Sequence, residues 1–273
     1  MAPSGVPPAA SDVVLRPLRS REDYNACVEL QKRTWGEGFE VVPPGVLKIS
    51  QRVGAVAAGA FAADGRLLGF VFGLTGVAGE PPRVVHWSDL LAVDPEARDL
   101  RLGTRLKLYQ RELLLPFGIV EVIQWSYDPL EARNAHLNLN HLGAEPEEYV
   151  EEMYSDELGS DLARGIGTDR FIVTWRIGSD RVREILAGRP AGDPTSFDDA
   201  PLAGDDLPGS RRVRVEIPGN IQSLKVERPE EAFAWRLSTR RAFQTYLARG
   251  YKVEAFWRDP ASGRCFYGLS EST

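Results

Sequence analysis

The stretch DLLAVDPEARDLRLGTRLKLYQRELL, Asp89 to Leu114, constrains the chain more than any other. An apolar run leaves through Asp94-Pro95, crosses an arginine-bearing turn and re-enters a helical pattern at Gly103. Proline cannot donate to a strand ladder, so the run ends there. A strand that feeds a helix in this way belongs in a sheet with helices packed on it. The first amides of the helix lack intrahelical acceptors and sit at the positive end of its dipole, so such a turn attracts phosphate. Arg98 and Arg101 add positive charge, and Gly103 lets a ligand approach the backbone. The alternative is a purely structural strand-to-helix connection.

The flanking sequence supplies the rest of a sheet. VVLRPL (13–18) predicts a first strand, and SREDYNACVELQKRTWG (20–36) a helix capped by Ser20 and stopped by Gly36. A second helix is expected over 43–54. Two apolar runs, 55–63 and 67–77, flank Asp64-Gly65-Arg66, a hairpin signal because glycine tolerates positive φ. Strands are expected at 84–93, 119–127 and 169–177, and helices from about Gly103 to Leu115 and over 129–143, the latter closed by Gly143. Antiparallel strands followed by a strand–helix–strand crossover predict an α/β fold with a mixed sheet.

Residues 178–210 contain RVREILAG, the pattern of a short helix, and then a Pro-, Gly- and Asp-rich run with little to bury, which predicts a linker or long loop. Beyond it lie a strand (211–218), a strong helix (229–250) and a hairpin around 260–263. The expected organisation is a leader over 1–12, a catalytic domain over 13–177, the linker, and an α+β subdomain over 211–273. The arginines of the last helix, Arg236, Arg240, Arg241 and Arg249, predict a solvated face over an apolar side of Phe233, Leu237, Phe243 and Leu247; the alternative is that one of them binds a substrate carboxylate. Trp87, Trp125 and Trp175 lie in strand runs and are expected in the core.

Composition narrows the function classes. A net charge of -6 argues against a nucleic-acid-binding surface over the whole chain, although Arg98, Arg101, Arg105 and Lys107 form a local basic cluster. Cys27 and Cys265 are far apart and lack metal-ligand spacing, so neither a disulfide scaffold nor a metal site is expected. No apolar run reaches the ~18 residues of a membrane span. The first residues, MAPSGVPPAASD, lack the pattern of a signal peptide, so the expectation is a cytoplasmic protein without membrane partners.

PEARDLRLGTRL resembles the Q/R-x-x-G-x-G/A loop of the GNAT acyltransferases, which holds the pyrophosphate of coenzyme A. Arg98 fills its first position and Gly103 its last. Arg101 stands where the middle glycine usually sits, which leaves the loop's backbone path open and adds a positive charge. The element order over 13–177 and the helix ARNAHLNLNHLGA are similar to the family's core. Segments 127–144, 167–175 and 234–251 resemble a long GNAT subgroup that includes amino-acid N-acyltransferases using succinyl-CoA.

The resemblance implies an acyl-CoA-dependent N-acyltransferase: a neutral primary amine attacks the thioester directly, with acetyl-CoA or another acyl-CoA as co-substrate and no metal. It places cofactor contacts at Leu91, Ala92, Val93, Arg98, Arg101, Leu102, Gly103, Thr104 and Asn134, with the oxyanion donor a backbone N–H of the Leu91–Val93 region. Asp89 is the first candidate base, the alternative being a strand residue that bonds a neighbouring loop. His86 is the second; on a regular strand it lies on the opposite face from Asp89, and its alternative is a packed or exposed strand histidine. The tyrosine that serves as general acid in the family is replaced by Leu139; Asn138, Asn140 and His141 are polar neighbours, and Tyr149 and Tyr154 are the candidate substitutes. The acidic run 145–157 is expected to be solvated surface, or an attractor for a cationic substrate.

The implied acceptor is the amine of an amino acid or another small molecule. The competing functions are acetylation of a protein lysine or N-terminus, and a non-catalytic acyl-CoA sensor. Whether the tail packs on its own core or on a partner's, as in a homodimer, is left open.

Overall fold

A computed structural model of the protein describes residues 12–154 and 165–272, apart from the side chain of Arg98. The leader expected over 1–12 lies outside the described residues except for Asp12. Helices and strands interleave in an α/β fold with a mixed sheet, as expected. The chain divides into two compact units, the first running to Ile123 and the second from Gln124 onward.

The first unit contains β1 (Val14–Pro17), α1 (Arg21–Trp35), α2 (Pro44–Ser50), β2 (Val56–Phe61), β3 (Leu67–Ala78), β4 (Arg83–Val93) and α3 (Leu102–Leu114). Its strands lie side by side in chain order, each antiparallel to the next. Helix α1 starts where the sequence predicts it to: Ser20 Oγ accepts from Asp23 N–H at 3.1 Å while Asp23 accepts from Ser20 N–H at 3.2 Å. Arg16 donates twice to the same carboxylate, which holds Asp23 down to about 2. Tyr24, Cys27 and Leu30 recur at helical spacing and pack with Phe61, Phe70, Phe72, Leu90 and Ala92. Each large side chain so buried contributes roughly 1.5–3 kcal/mol. At the β2–β3 hairpin Gly65 adopts φ 87°, and Ala62 N–H donates to Arg66 O at 2.9 Å.

One irregularity in this sheet matters for the site. Phe72 pairs with Leu90 and Leu74 with Trp87, so the single residue Gly73 faces two residues of β4, Ser88 and Asp89. Such a bulge flips the alternation of the strand around it. His86 and Ser88 meet side chains of α3, whereas Leu90 and Ala92 join the α1 core.

The second unit takes up most of β5 (Val122–Tyr127) and continues with α4 (Ala132–Ala135), β6 (Glu145–Val150), β7 (Arg170–Arg176), α5 (Asp180–Leu186), β8 (Arg212–Ile217), α6 (Ile221–Glu227), α7 (Pro229–Ala248), β9 (Tyr251–Arg258) and β10 (Cys265–Glu271). Its strands order as β5-β7-β6 and, in a separate sheet, β8-β10-β9. The helix expected over 129–143 is α-helical only at its start: His136–Leu142 is a π-helix, whose i→i+5 winding brings the rings of His136 and His141 to 4.7 Å.

Several expectations change here. The division into compact units falls inside β5, and the stretch 178–210 lies within the second unit. That stretch is not an unpacked linker: Phe197 is 1% exposed and stacks on Trp257, and a Cβ on Gly268 would lie 2.7 Å from its ring. The tail packs on its own chain, because Phe243 of α7 and Tyr267 of β10 both meet Phe171 of β7. Residues 145–150, expected as irregular acidic surface, form β6, with Glu145 and Glu147 bound to Arg176 across the β6–β7 pair. Helix α7 is rotated by about one position from its expected phase. Arg236 is fully buried, paired with Asp128 and bonded to Ile166 O at 2.8 Å, while Phe233 and Leu237 are exposed. Trp125 and Trp175 are buried as expected, but Trp87 is only half-buried.

Candidate functional site

The site predicted around Gly103 lies wholly in the first unit. Val93 still pairs with Gly69 of β3, and Asp94 N–H donates to Leu68 O at 2.8 Å, so the strand holds to its last residue. Asp94 then opens a 3-10 turn over Pro95–Leu100 by accepting from Glu96 N–H at 3.1 Å, and Arg33 lies 3.1 Å from its carboxylate. Ala97 is buried beneath that turn.

Arg101 resolves the open question of the loop's path. Its backbone sits at φ 53° and ψ 30°, the left-handed region that a glycine takes without penalty. The chain therefore turns as a glycine at this position would let it, and α3 starts at the next residue. No side chain caps this start, so by helix geometry the amides of Leu102, Gly103 and Thr104 point out of the first turn. Arg101 is exposed and Gly103 and Thr104 are half-buried, so the turn is open to solvent. Leu102, at 0% exposure, anchors the helix with Leu106. The side chain of Arg98 lies outside the described residues.

Leu91, Ala92 and Val93 pair with Val71, Phe70 and Gly69 along one edge of β4, and strand geometry points alternate amides to the other edge. Asp89, in the bulge, is solvent-exposed. Desolvation nevertheless raises its carboxyl above the ordinary range, opposed by hydrogen bonding to the Trp87 side chain. An accessible carboxylate moved toward neutral pH has the properties of a general base.

His86 does not share that position. It is 0% exposed, with Nε2 at 3.0 Å from Gln110 Nε2 and Nδ1 at 2.9 Å from Thr75 Oγ1. Burial, with a smaller effect from Lys107, holds it down to about 3, so it stays neutral. Both nitrogens are engaged within the protein, which removes His86 from the candidate bases. Lys107, grouped from sequence with the basic cluster, is likewise buried at 2% exposure.

In the second unit Asn134 is exposed on α4. Leu139, which stands where the acid is missing, is buried, as is Asn138, whose Oδ1 accepts from the Trp125 indole at 3.3 Å. Asn140 donates to Phe256 O at 2.9 Å, and His141 is exposed. Tyr149 donates to Asp169, and its phenol is raised first by burial and then by that carboxylate. Tyr154 shares a 2.8 Å hydrogen bond with Ser126.

Sequence reasoning missed the polar side chains behind β4: Ser88, Lys107 and Gln110, which connect to His86. The available signal was a lysine and a glutamine three apart on the helix face that also carries Leu106 and Leu114. Among the described residues no group of histidine, cysteine and carboxylate side chains could hold a metal ion, and no helix is long and apolar enough to cross a membrane.

No family model and no curated protein matches the chain. Solved structures do. Naa20 of Chaetomium thermophilum in complex with a bisubstrate analogue is 16% identical, with 65% of this chain and 93% of that chain covered and a TM-score of 0.49. The putative acetyltransferase yncA of Salmonella typhimurium with its cofactor acetyl-CoA is 15% identical, with coverages of 62% and 95% and a TM-score of 0.48. An acetyltransferase of the GNAT family from Streptococcus pneumoniae is 16% identical, with coverages of 59% and 98% and a TM-score of 0.46.

Proposed function

We propose that the protein is an acyl-CoA-dependent N-acyltransferase that moves an acetyl or succinyl group to a primary amine of an amino acid or another small molecule. The observation that carries this reading is the left-handed backbone of Arg101, which delivers an uncapped, solvent-open helix start directly behind β4. The amides of Leu102, Gly103 and Thr104, with the guanidinium of Arg101, form the grip for the diphosphate. Arg98 is assigned to the same grip, and Asn134 to the pantetheine arm, from the sequence resemblance. Residues 13–177 are assigned to the catalytic domain and 211–273 to an appended subdomain.

In the proposed reaction the neutral acceptor amine attacks the thioester carbonyl, and its proton passes to Asp89 as the C–N bond forms. A backbone N–H of the Leu91–Val93 segment stabilises the oxyanion, and the C–S bond breaks to release the CoA thiolate. Both substrates are held together, so no acyl-enzyme forms.

Calorimetric titration with CoA, alongside thiol release from acetyl-, succinyl- and propionyl-CoA across a panel of amino acids, tests the proposal. Turnover with an amino acid supports it, and Arg98→Ala with Arg101→Ala weakens CoA binding. Tight CoA binding with no turnover favours the sensor, turnover only with peptides favours a protein acetyltransferase, and absent CoA binding overturns the site.

A further inference from the structure

Behind the β4 bulge runs a buried chain of hydrogen bonds with a consistent direction. Lys107 Nζ donates to Ser88 Oγ at 2.7 Å, and Ser88 Oγ donates to Gln110 Oε1 at 3.0 Å. The Gln110 amide nitrogen lies 3.0 Å from His86 Nε2, so Nε2 accepts and Nδ1 carries the proton toward Thr75 Oγ1 at 2.9 Å. Thr75 Oγ1 completes the chain by donating to Gly54 O at 2.6 Å. Ser88, Lys107, Gln110 and His86 are all buried, where an unsatisfied polar group costs about 1–3 kcal/mol.

The chain is built around the bulge. A Cβ on Gly73 would lie 2.4 Å from His86 Nε2, 2.6 Å from Trp87 O and 2.9 Å from Gln110 Nε2, so the bulged backbone presses directly on that glycine. Ser88 is drawn toward α3, and the next residue, Asp89, emerges into solvent. Both tethers, Lys107 and Gln110, lie on the helix whose first turn carries the proposed diphosphate grip. From Leu102 to Lys107 that helix is a rigid spacer of about 7.5 Å.

Resting on the function proposed above, we infer that Lys107 and Gln110 are positioning residues for Asp89: through Ser88 they clamp the β4 bulge to α3, fixing the base at a set offset from the cofactor turn. A methionine would fill the same space without burying an amine, so the polar clamp contributes geometry rather than packing.

The test follows the Asp89 carboxyl by carbon NMR titration, with Asp89→Asn assigning the signal. In Lys107→Met and in Gly73→Ala the Asp89 titration falls toward the ordinary value of about 3.9, while Asp169 does not move and CoA affinity is unchanged. Ser88→Ala reproduces the fall, and Ser88→Thr, which keeps the hydroxyl, restores the wild-type titration. A folded Lys107→Met protein with Asp89 unmoved overturns the inference. If that variant does not fold, the Ser88 pair decides: Ala and Thr titrating alike overturns it. Failure of the wild-type protein to bind CoA counts against the proposed function alone, because the titration needs no ligand.

Discussion

The guanidinium of Arg236 donates to Asp128 Oδ2 at 2.6 Å, with the arginine side chain shut off from solvent. Asp128 also accepts from Leu130 N–H at 2.9 Å, and Arg236 Nη1 is buried without a partner. The ion pair joins α7 to the end of β5, where Arg170 Nη1 stands 3.9 Å from the same carboxylate oxygen and Ile166 O accepts from the guanidinium.

Removing one partner leaves the other buried with only these weaker contacts. Asp128→Asn and Arg236→Met are each expected to lower the unfolding free energy by about 3–5 kcal/mol, measured by urea denaturation. A loss below about 1 kcal/mol would mean that water already solvates the pair.

Arg101 gives a prediction in which stability and binding move apart. Arg101→Gly relieves a left-handed backbone that costs a non-glycine residue about 1–2 kcal/mol, offset in part by glycine's greater unfolded entropy. The variant is expected to be more thermostable and to bind CoA less tightly. Loss of stability would show that the Arg101 side chain packs more firmly than its exposure indicates.

Lys107 makes stability depend on pH. Burial lowers its amine well below the usual value, so the folded protein sheds a proton that the unfolded chain keeps up to about pH 10.4. The unfolded state binds more protons in that window, so stability rises with pH through it. Urea melts near pH 7 and pH 9 are expected to show this rise, at roughly constant m-value, and Lys107→Met is expected to remove its share. Identical pH slopes in both proteins would contradict the neutral amine.

In the proposed reaction the sign of the pH dependence is set by Asp89. Its carboxyl is raised, so kcat/KM is expected to climb with pH through that elevated value as the base ionises. Asp89→Asn should cost about 10²-fold in rate and abolish that limb of the profile, leaving only the acceptor amine's own ionisation. An unchanged profile would assign the proton to water.

Local chemistry accounts for what was legible in the sequence. The Ser20–Asp23 cap, the Gly65 hairpin and the Asp94-Pro95 exit each act within a few residues, and the structure places all three where expected. What escaped depends on partners far along the chain. Nothing in the periodicity of α7 separates a stripe of Phe233 and Leu237 from one of Ala232, Arg236 and Thr239, because Asp128 chooses between them from 108 residues away. Glu145 and Glu147 lie in a strand because the backbone of β6 pairs with β7, whose Arg176 then binds both carboxylates. Phe197 stands alone among polar residues in the sequence, and its pocket is made by Gly268 and Trp257. At the site, the turn was legible, whereas the clamp behind it left only Lys107 and Gln110 on an apolar helix face, with nothing in β4 to say what they meet.

The wide turn at His136–Leu142 carries one more residue per backbone hydrogen bond than an ordinary helix. Deleting a single residue there would let the ladder rewind without breaking, swinging everything downstream by about 100°. Gly143, in tight contact with Ile185, and Asn140, bonded to Phe256 O, would both lose their places. In this segment it is chain length, more than the identity of any side chain, that sets the direction in which β6 departs.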